Sequence, residues 1–300
     1  AIFVMEVVLG NFAMNVFAPI VLSSVLATIL RKLLLSEKPI YEVASEHVAT
    51  LSPGLILAAL LLGVMCGFGS IFFRTVLKLG KDGFKKLGLP LPLALALGGV
   101  IVGVIGLFRP ETWGNGFEVV NLVAKGGLPL AMILTLFIWK QVATIATVGS
   151  GALGGIFTPN LVVGAAFGGV FAQALELFEP VSVAERTTFA FVGMAGLCAA
   201  TMHAPVTAVV LVFELTGHQE LILPVMLCSI AASITARMLD EDSYYTAAMK
   251  ARGDAVPSGL EDLAIRSTYA RDIQRDDCVT VGDTASFEDV MSQLGSHRGD

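Results

Sequence analysis

Charged side chains are scarce in this sequence. Asp, Glu, Lys and Arg make up 15% of the 300 residues, whereas hydrophobic residues make up 55%. Soluble globular proteins carry about 25% charged residues, so this composition predicts that most of the chain lies in lipid. The few basic residues are scattered and do not alternate with aromatic ones, which argues against a nucleic-acid partner.

Cysteine is also rare, and its spacing excludes two classes of site. The 4 cysteines are far apart, and no two have the spacing of a metal or redox pair. We therefore predict no metal site, and we expect the cysteines in apolar segments to be small buried side chains. The cysteines are Cys66, Cys198, Cys228 and Cys278.

Long apolar runs fill residues 1–239. Several contain Gly or Pro, and the run 126–175 is too long for one span of about 20 residues. We predict an all-α polytopic membrane protein with broken helices, of the kind found in transporters. The runs are 7–30, 53–73, 88–108, 126–175, 187–213 and 221–236.

Basic residues indicate the orientation, although two groups conflict. The larger group follows the second run and predicts that this end is cytoplasmic. The smaller group lies one span earlier and would face the other side. The groups are Arg74, Lys78, Lys81, Lys85 and Lys86, against Arg31, Lys32 and Lys38.

The chain becomes polar after Met238. Residues 269–300 predict a short strand at CVTV (278–281), a turn, and an amphipathic helix FEDVMSQL. Asp289 follows Ser286 by three residues, which is a plausible capping pair for that helix. This segment has the pattern of the start of a soluble α/β unit.

Residues 149–169, GSGALGGIFTPNLVVGAAFGG, contain seven glycines and one proline but no charge. Non-helical backbone at membrane depth is tolerated only where it is buried in protein or lines a wet cavity. GSGALGG is a poor helix former, whereas Pro159 suits the first turn of a following helix. We therefore predict that a helix begins near Ile156.

A helix N-terminus inside the membrane has free N–H groups and a positive dipole end. It can bind an anion without a formal charge and can also release it, as conduction requires. The alternative is that the glycines only permit close helix packing, since Gly164 and Gly168 form a GxxxG pair. Both interpretations can hold, for different glycines.

The same stretch resembles the GxFxP region of the CLC chloride channel and transporter family. HAPVTAVVLVFELTGHQELILPVML (203–227) and DSYYTAAM (242–249) resemble two further blocks of that family, in the family's order. The resemblance implies a CLC-type inverted-repeat bundle over residues 1–253. It also implies that residues 254–300 are a linker and the beginning of a cytoplasmic CBS domain.

The resemblance implies a set of site residues. The backbone N–H groups of Ile156 and Phe157 would hold the anion, and the hydroxyl of Tyr245 would contact it, with Tyr244 as the neighbouring alternative. The signature loop that shapes this site comprises Gly149, Ser150, Gly151, Gly154, Gly155 and Pro159.

Glu6 and Val7 match the segment where proton-coupled members carry a proton-transfer glutamate. The alignment places that glutamate on Val7, which cannot carry a proton, so the resemblance favours a voltage-gated-type chloride channel. A shift of one residue would make Glu6 the proton carrier. We expect Glu6 and its counterpart Glu214 instead to bind backbone or polar groups inside the bundle. We expect His203 to cap a broken helix end.

The resemblance further implies a homodimer with a pore in each subunit, joined through helices near residues 1–30 and 203–237. It implies no enzyme activity and no resident cofactor. Chloride would be the transported ion, and a complete CBS pair could bind an adenine nucleotide. The predicted location is a bacterial inner membrane, with a cytoplasmic C-terminus.

Several alternatives remain at this point. The first is an H⁺/Cl⁻ exchanger, and a remote one is a CBS-linked Mg²⁺ channel, which would need a carboxylate ring that the few intramembrane acids do not suggest. A membrane scaffold or sensor is a third. The family's first-half GSGIP-like and GREGP-like motifs do not occur here, so we expect the chain to be a fragment of a longer protein.

Overall fold

The structure is a computed structural model that describes residues 2–9, 14–35, 40–41, 48–125, 128–253 and 285–296. All regular structure in these ranges is helical, as predicted. The helices are α1 (Met14–Leu35), α2 (Pro53–Lys86), α3 (Leu91–Phe108), α4 (Phe117–Ala124), α5 (Leu130–Gly149), α6 (Phe157–Leu175), α7 (Val183–Met202), α8 (Pro205–Thr216), α9 (Ile222–Leu239), α10 (Tyr244–Arg252) and α11 (Phe287–Ser296). A π-helical turn at Val4–Leu9 precedes them.

Among the described residues, 5 helical segments are long and apolar enough to cross a membrane. Their number and apolar character support an integral membrane protein, because each can satisfy its own backbone hydrogen bonds in lipid. The segments are Pro53–Lys86, Leu91–Phe108, Leu130–Gly149, Phe157–Leu175 and Gln219–Arg252. The chain divides into two compact units, Ala1–Val256 and Pro257–Asp300.

Helix α7 is the core of the first unit. Every residue from Thr187 to Met202 is buried, and α7 packs against α2, α6, α8 and α9. A helix that is apolar and buried all round lies in a protein interior, not at a lipid boundary. Helices α6 and α10, which carry the candidate site residues, both pack against α7.

Glycines bring α6 and α7 into backbone contact. A Cβ atom at Gly168 would lie 2.0 Å from the carbonyl oxygen of Phe189, and one at Gly164 would lie 2.8 Å from that of Gly193. Only glycine permits so close an approach. The predicted packing role of Gly164 and Gly168 is confirmed.

Small residues also join α2, α7 and α9. A Cβ atom at Gly196 would meet the sulfur of Cys228 at 2.5 Å and that of Cys66 at 3.1 Å. Cys66, Cys198 and Cys228 are buried free thiols, as predicted. Cys278 lies outside the described residues.

The apolar run 187–213 is divided between two helices, as its internal proline and the expected role of His203 predicted. Helix α7 ends at Met202, and α8 begins at Pro205. The break follows from proline, which has no N–H and disfavours helical backbone in the residue before it. His203 is the C-cap of α7 in the left-handed conformation, with φ 55°. Its predicted role at a broken helix end is confirmed.

The second unit contributes α11 to the described structure. The amide of Asp289 donates to the Ser286 hydroxyl at 3.3 Å, and that hydroxyl donates to the Asp289 carboxylate at 2.7 Å. These bonds confirm the predicted capping pair. The pKa of Asp289 is lowered because its carboxylate accepts from the hydroxyl and from the amide of Ser286. The strand predicted at 278–281 lies outside the described residues, and the CBS assignment stays a prediction.

Candidate anion site at the α6 N-terminus

The signature loop separates α5 from α6. Helix α5 ends at Gly149, and Gly151 adopts φ +90°, a conformation that side chains other than glycine rarely accept. The Ser150 hydroxyl donates to the carbonyl of Thr147 at 2.9 Å, and Gly98 on α3 leaves room for Ser150. Gly154 and Gly155 are exposed and lead into α6.

Helix α6 begins where the sequence predicts. Ile156 is its N-cap, is 2% exposed, and gives the helix no side-chain cap. The Ile156 carbonyl accepts the first helical bond, from the amide of Asn160 at 2.9 Å. The amides of the first turn therefore have no helical acceptor and present the positive end of the dipole. Pro159 lies in this turn, where its missing N–H breaks no bond.

Asn160 fixes this helix end to α7, a role that sequence reasoning missed. Its side chain is fully buried, donates to the carbonyl of Leu197 at 3.5 Å, and accepts from the Thr201 hydroxyl at 3.3 Å. A buried amide needs such partners. The signal in the sequence is a polar residue directly after Pro159 in an otherwise apolar segment.

Three aromatic rings connect α6 to α10. The rings of Phe3 and Phe157 lie 5.6 Å apart edge to face, and those of Phe3 and Tyr245 lie 5.8 Å apart. The structure thus brings two predicted site residues, Phe157 and Tyr245, into contact with one ring. Phe3 was not among the predicted residues.

The two neighbouring tyrosines differ in what their hydroxyl groups do. The ammonium group of Lys81 donates to the Tyr244 hydroxyl at 2.8 Å and also lies over the Tyr244 ring. The Tyr245 hydroxyl has no hydrogen-bond partner among the described residues, so it retains a donor for a ligand. This difference favours Tyr245 over Tyr244 as the anion contact.

A cavity of about 630 Å³ lies beside the first turn of α6. Phe157, Thr158 and Pro159 form one side, and Lys140 of α5 forms part of another. The Lys140 side chain is 4% exposed, and its ammonium group donates to the carbonyls of Thr112 and Gly114 at 2.9 and 2.8 Å. The Lys140 ammonium group is thus bound to two backbone carbonyls, in the lining of the same cavity as the first turn of α6. The sequence signal was a single lysine in a long apolar run.

Glu6 is not among the residues that line this cavity, and its side chain binds helix α8. Its carboxylate accepts from the amides of Val206 and Thr207, at 3.1 and 2.6 Å, and from the Thr207 hydroxyl at 2.7 Å. A carboxylate at a helix N-terminus satisfies free amides and complements the dipole. The backbone-binding role expected for Glu6 is confirmed. Val7 is half-buried against the core.

Glu214 does not follow the same expectation. Its side chain is exposed and makes no hydrogen bond with the described residues. The helix explains why: Ala208, Val212 and Thr216 form the buried face of α8, and Glu214 lies two residues from Val212 on the opposite side. The expected interior contact of Glu214 is wrong for this chain.

Metal binding was not expected, and the described ranges contain no cluster of His, Cys, Asp and Glu that could hold a metal ion. The first-turn amides of α6 and the Tyr245 hydroxyl are hydrogen-bond donors without a partner among the described residues, and donors of this kind suit a small anion.

Comparison with known proteins identifies the family of this chain. Residues 1–237 match the model of the voltage gated chloride channel family. The chain belongs to that family. It is 34% identical to a protein named as chloride channel ClcB-like in Ralstonia nicotianae, over 85% of this chain and 59% of the relative. It is also 34% identical to the voltage-gated ClC-type chloride channel ClcB of Escherichia coli, over 82% of this chain and 58% of the relative.

A solved structure shares the fold of this CLC chain. The structure of a slow cyanobacterial Cl⁻/H⁺ antiporter matches with a TM-score of 0.67 and 28% identity, over 76% of this chain and 53% of the antiporter. The broken-helix bundle predicted from the sequence is thus the CLC fold. The chain spans less than two thirds of the length of these relatives.

Proposed function

We propose that the protein containing this chain moves chloride across a membrane, with the anion held by the first-turn amides of α6 and the Tyr245 hydroxyl. The observation that carries the proposal is the bare N-terminus at Ile156–Phe157, linked through Phe3 to the Tyr245 ring, whose hydroxyl has no partner among the described residues. Membership of the CLC family supports it. Neutral donors bind a halide without trapping it.

Reconstitution of the full-length protein tests the proposal. Vesicles loaded with chloride should release it when the protein is present. Replacing the Phe157 amide with an ester removes the N–H but keeps the side chain. We expect the ester to weaken chloride binding by about tenfold, the value of one charge-assisted hydrogen bond. The same ester at Ala165 removes a donor in the middle of α6 and serves as the control. Equal chloride affinities in the Phe157 ester and the unmodified protein would contradict the backbone site.

We further propose passive conduction as a channel. Val7 lies where the resemblance expects a proton-transfer glutamate, and the Glu6 carboxylate is bound by three donors of α8. The alternative is H⁺/Cl⁻ exchange, since the neighbouring solved structure is an antiporter. A chloride gradient should drive no uphill proton movement through the full-length protein in vesicles. Uphill proton flux would establish exchange.

The remaining assignments belong to the same proposal. We propose a homodimer with a pore in each subunit, located in a bacterial inner membrane with a cytoplasmic C-terminus, and a transport role without enzyme activity. An adenine nucleotide is the proposed ligand of a complete CBS pair.

A further inference from the structure

Helix α10 carries Tyr245 but has little packing of its own. Within the described structure, none of its residues from Tyr244 to Arg252 is fully buried. Hydrophobic burial is the main force that fixes a helix in place, and here it is weak. Tyr245 packs partly against the core and against Phe3, and the polar contacts at the start of α10 add to this limited packing.

Arg74 makes the central contact. It lies on α2 and is 9% exposed. Its Nη2 atom donates to the Asp240 carboxylate at 2.8 Å, and its Nη1 atom donates to the backbone carbonyl of Asp242. Asp240 is the C-cap of α9, and Asp242 directly precedes Ser243, the N-cap of α10. One guanidinium group thus holds both ends of the corner that leads into α10, and its planar fork suits two acceptors at once.

We call the contacts of Arg74 with Asp240 and Asp242 the clasp. A second cation on the same face of α2 adds a further contact to it. Lys81 follows Arg74 by seven residues, which is two helical turns, and donates to the Tyr244 hydroxyl at 2.8 Å. The capping box of Ser243 and Thr246 and the ion pair of Asp242 with Lys250 at 2.7 Å order the first turns of α10. These contacts fix Tyr244 and leave the Tyr245 ring against Phe3.

We propose that Arg74 is a positioning residue for the anion site: by clasping Asp240 and Asp242 it places Tyr245 beside the α6 N-terminus. This inference rests on the proposed chloride site. The inference gives a role to the contact between α2 and the junction of α9 with α10. Arg74, which makes this contact, is part of neither the family motifs nor the signature loop. The role requires arginine, because lysine has a single ammonium group and cannot reach two acceptors in the same fork geometry.

Chloride titration of the purified full-length protein by calorimetry tests the proposal. We expect Arg74→Gln and Asp240→Asn each to weaken chloride binding by about three- to tenfold, up to the loss of one hydrogen bond to a charged group. Asp240 is exposed, so Asp240→Asn should fold even if the Arg74 variant does not. Lys78→Gln is the matched control, because Lys78 is exposed on the same helix and makes no hydrogen bond or ion pair with the described residues.

The decisive measurement is a double-mutant cycle with Tyr245→Phe. If Arg74 acts through Tyr245, Asp240→Asn and Arg74→Gln should produce no further loss of chloride affinity in the Tyr245→Phe background. Losses that add in full, or a wild-type affinity in Asp240→Asn, would overturn the proposal while leaving the anion site intact. A Tyr245→Phe variant with unchanged affinity would overturn both the clasp's role and the proposed tyrosine contact.

Discussion

At the residue scale, Glu6 has two possible roles, as a proton carrier or as an acceptor for backbone amides. Its carboxylate occupies the α8 N-terminus, where Ala204 gives no side-chain cap. The carboxylate therefore replaces the missing cap with a charged acceptor. This contact explains the acid without proton transport.

Replacing Glu6 tests that interpretation. We expect Glu6→Ala to lower the free energy of unfolding by about 1–2 kcal/mol, because two amides of α8 lose their acceptor. Thermal unfolding of the full-length protein in detergent would measure the loss. Glu214→Ala is the matched control, since Glu214 is an exposed acid on α8, the helix to which Glu6 binds. Equal melting temperatures for the Glu6 variant and wild type would refute the capping role.

A second prediction at the residue scale concerns Lys140. Lys140→Met keeps most of the side-chain volume but removes the donor shared by the carbonyls of Thr112 and Gly114. We expect a stability loss of about 1–3 kcal/mol, the cost of leaving buried acceptors unsatisfied. Denaturation in detergent measures it, with the exposed Lys125→Met as control. A loss no larger than that of the control would show that water replaces the ammonium group.

At the scale of elements, the contact of α6 with α7 positions the candidate site. The two helices approach so closely at Gly164, Gly168 and Gly193 that their backbones touch. Asn160 adds hydrogen bonds one turn below the α6 N-terminus. The amides of Ile156 and Phe157 are therefore held in place by helix packing and by the Asn160 hydrogen bonds.

A single methyl group should disturb this contact. Gly168→Ala would place a Cβ atom 2.0 Å from the Phe189 carbonyl oxygen, and we expect a destabilisation of about 1–3 kcal/mol from overpacking. Gly83→Ala on α2 has no atom within 4 Å of the added methyl and should be neutral or stabilising by about 0.5–1 kcal/mol. Unfolding in detergent compares the two. If both variants behave alike, the close approach does not limit stability.

At the scale of the whole molecule, the outer face of α9 matches one of the proposed dimer regions. Leu223, Met226, Ile230 and Ile234 are exposed and recur at helical spacing. Such a stripe can face lipid or a second subunit, and a two-fold dimer would bring the same residue of each copy close to its counterpart.

Cysteine cross-linking separates these two environments. In a Cys278→Ser background, we expect Ile230→Cys to cross-link into a covalent dimer under mild oxidation in vesicles. Leu107→Cys on α3 is also apolar and even more exposed but lies outside the proposed interface, so it should stay monomeric on a denaturing gel. Equal cross-linking of both variants would indicate random collision and count against the dimer.

The start of α6 was determined by the sequence itself. Glycine and proline act on the backbone locally, so GSGALGG followed by a proline in the first turn was sufficient to place a helix N-terminus at Ile156. The capping pair at Ser286 and the packing glycines of α6 were predictable for the same reason. The apolar runs likewise predicted the membrane helices, and Pro205 together with His203 predicted the break within the run 187–213.

Only the tertiary structure decided which side chains serve which role. Lys81 and Tyr244 are 163 positions apart, Arg74 and Asp240 are 166 apart, and Glu6 and Thr207 are 201 apart. No local pattern encodes such pairs, because their partners are chosen by how the helices pack. The backbone of the candidate anion site therefore lies in one short stretch of sequence, whereas the hydrogen bond that occupies the Tyr244 hydroxyl and the binding of Glu6 to α8 depend on the folded bundle.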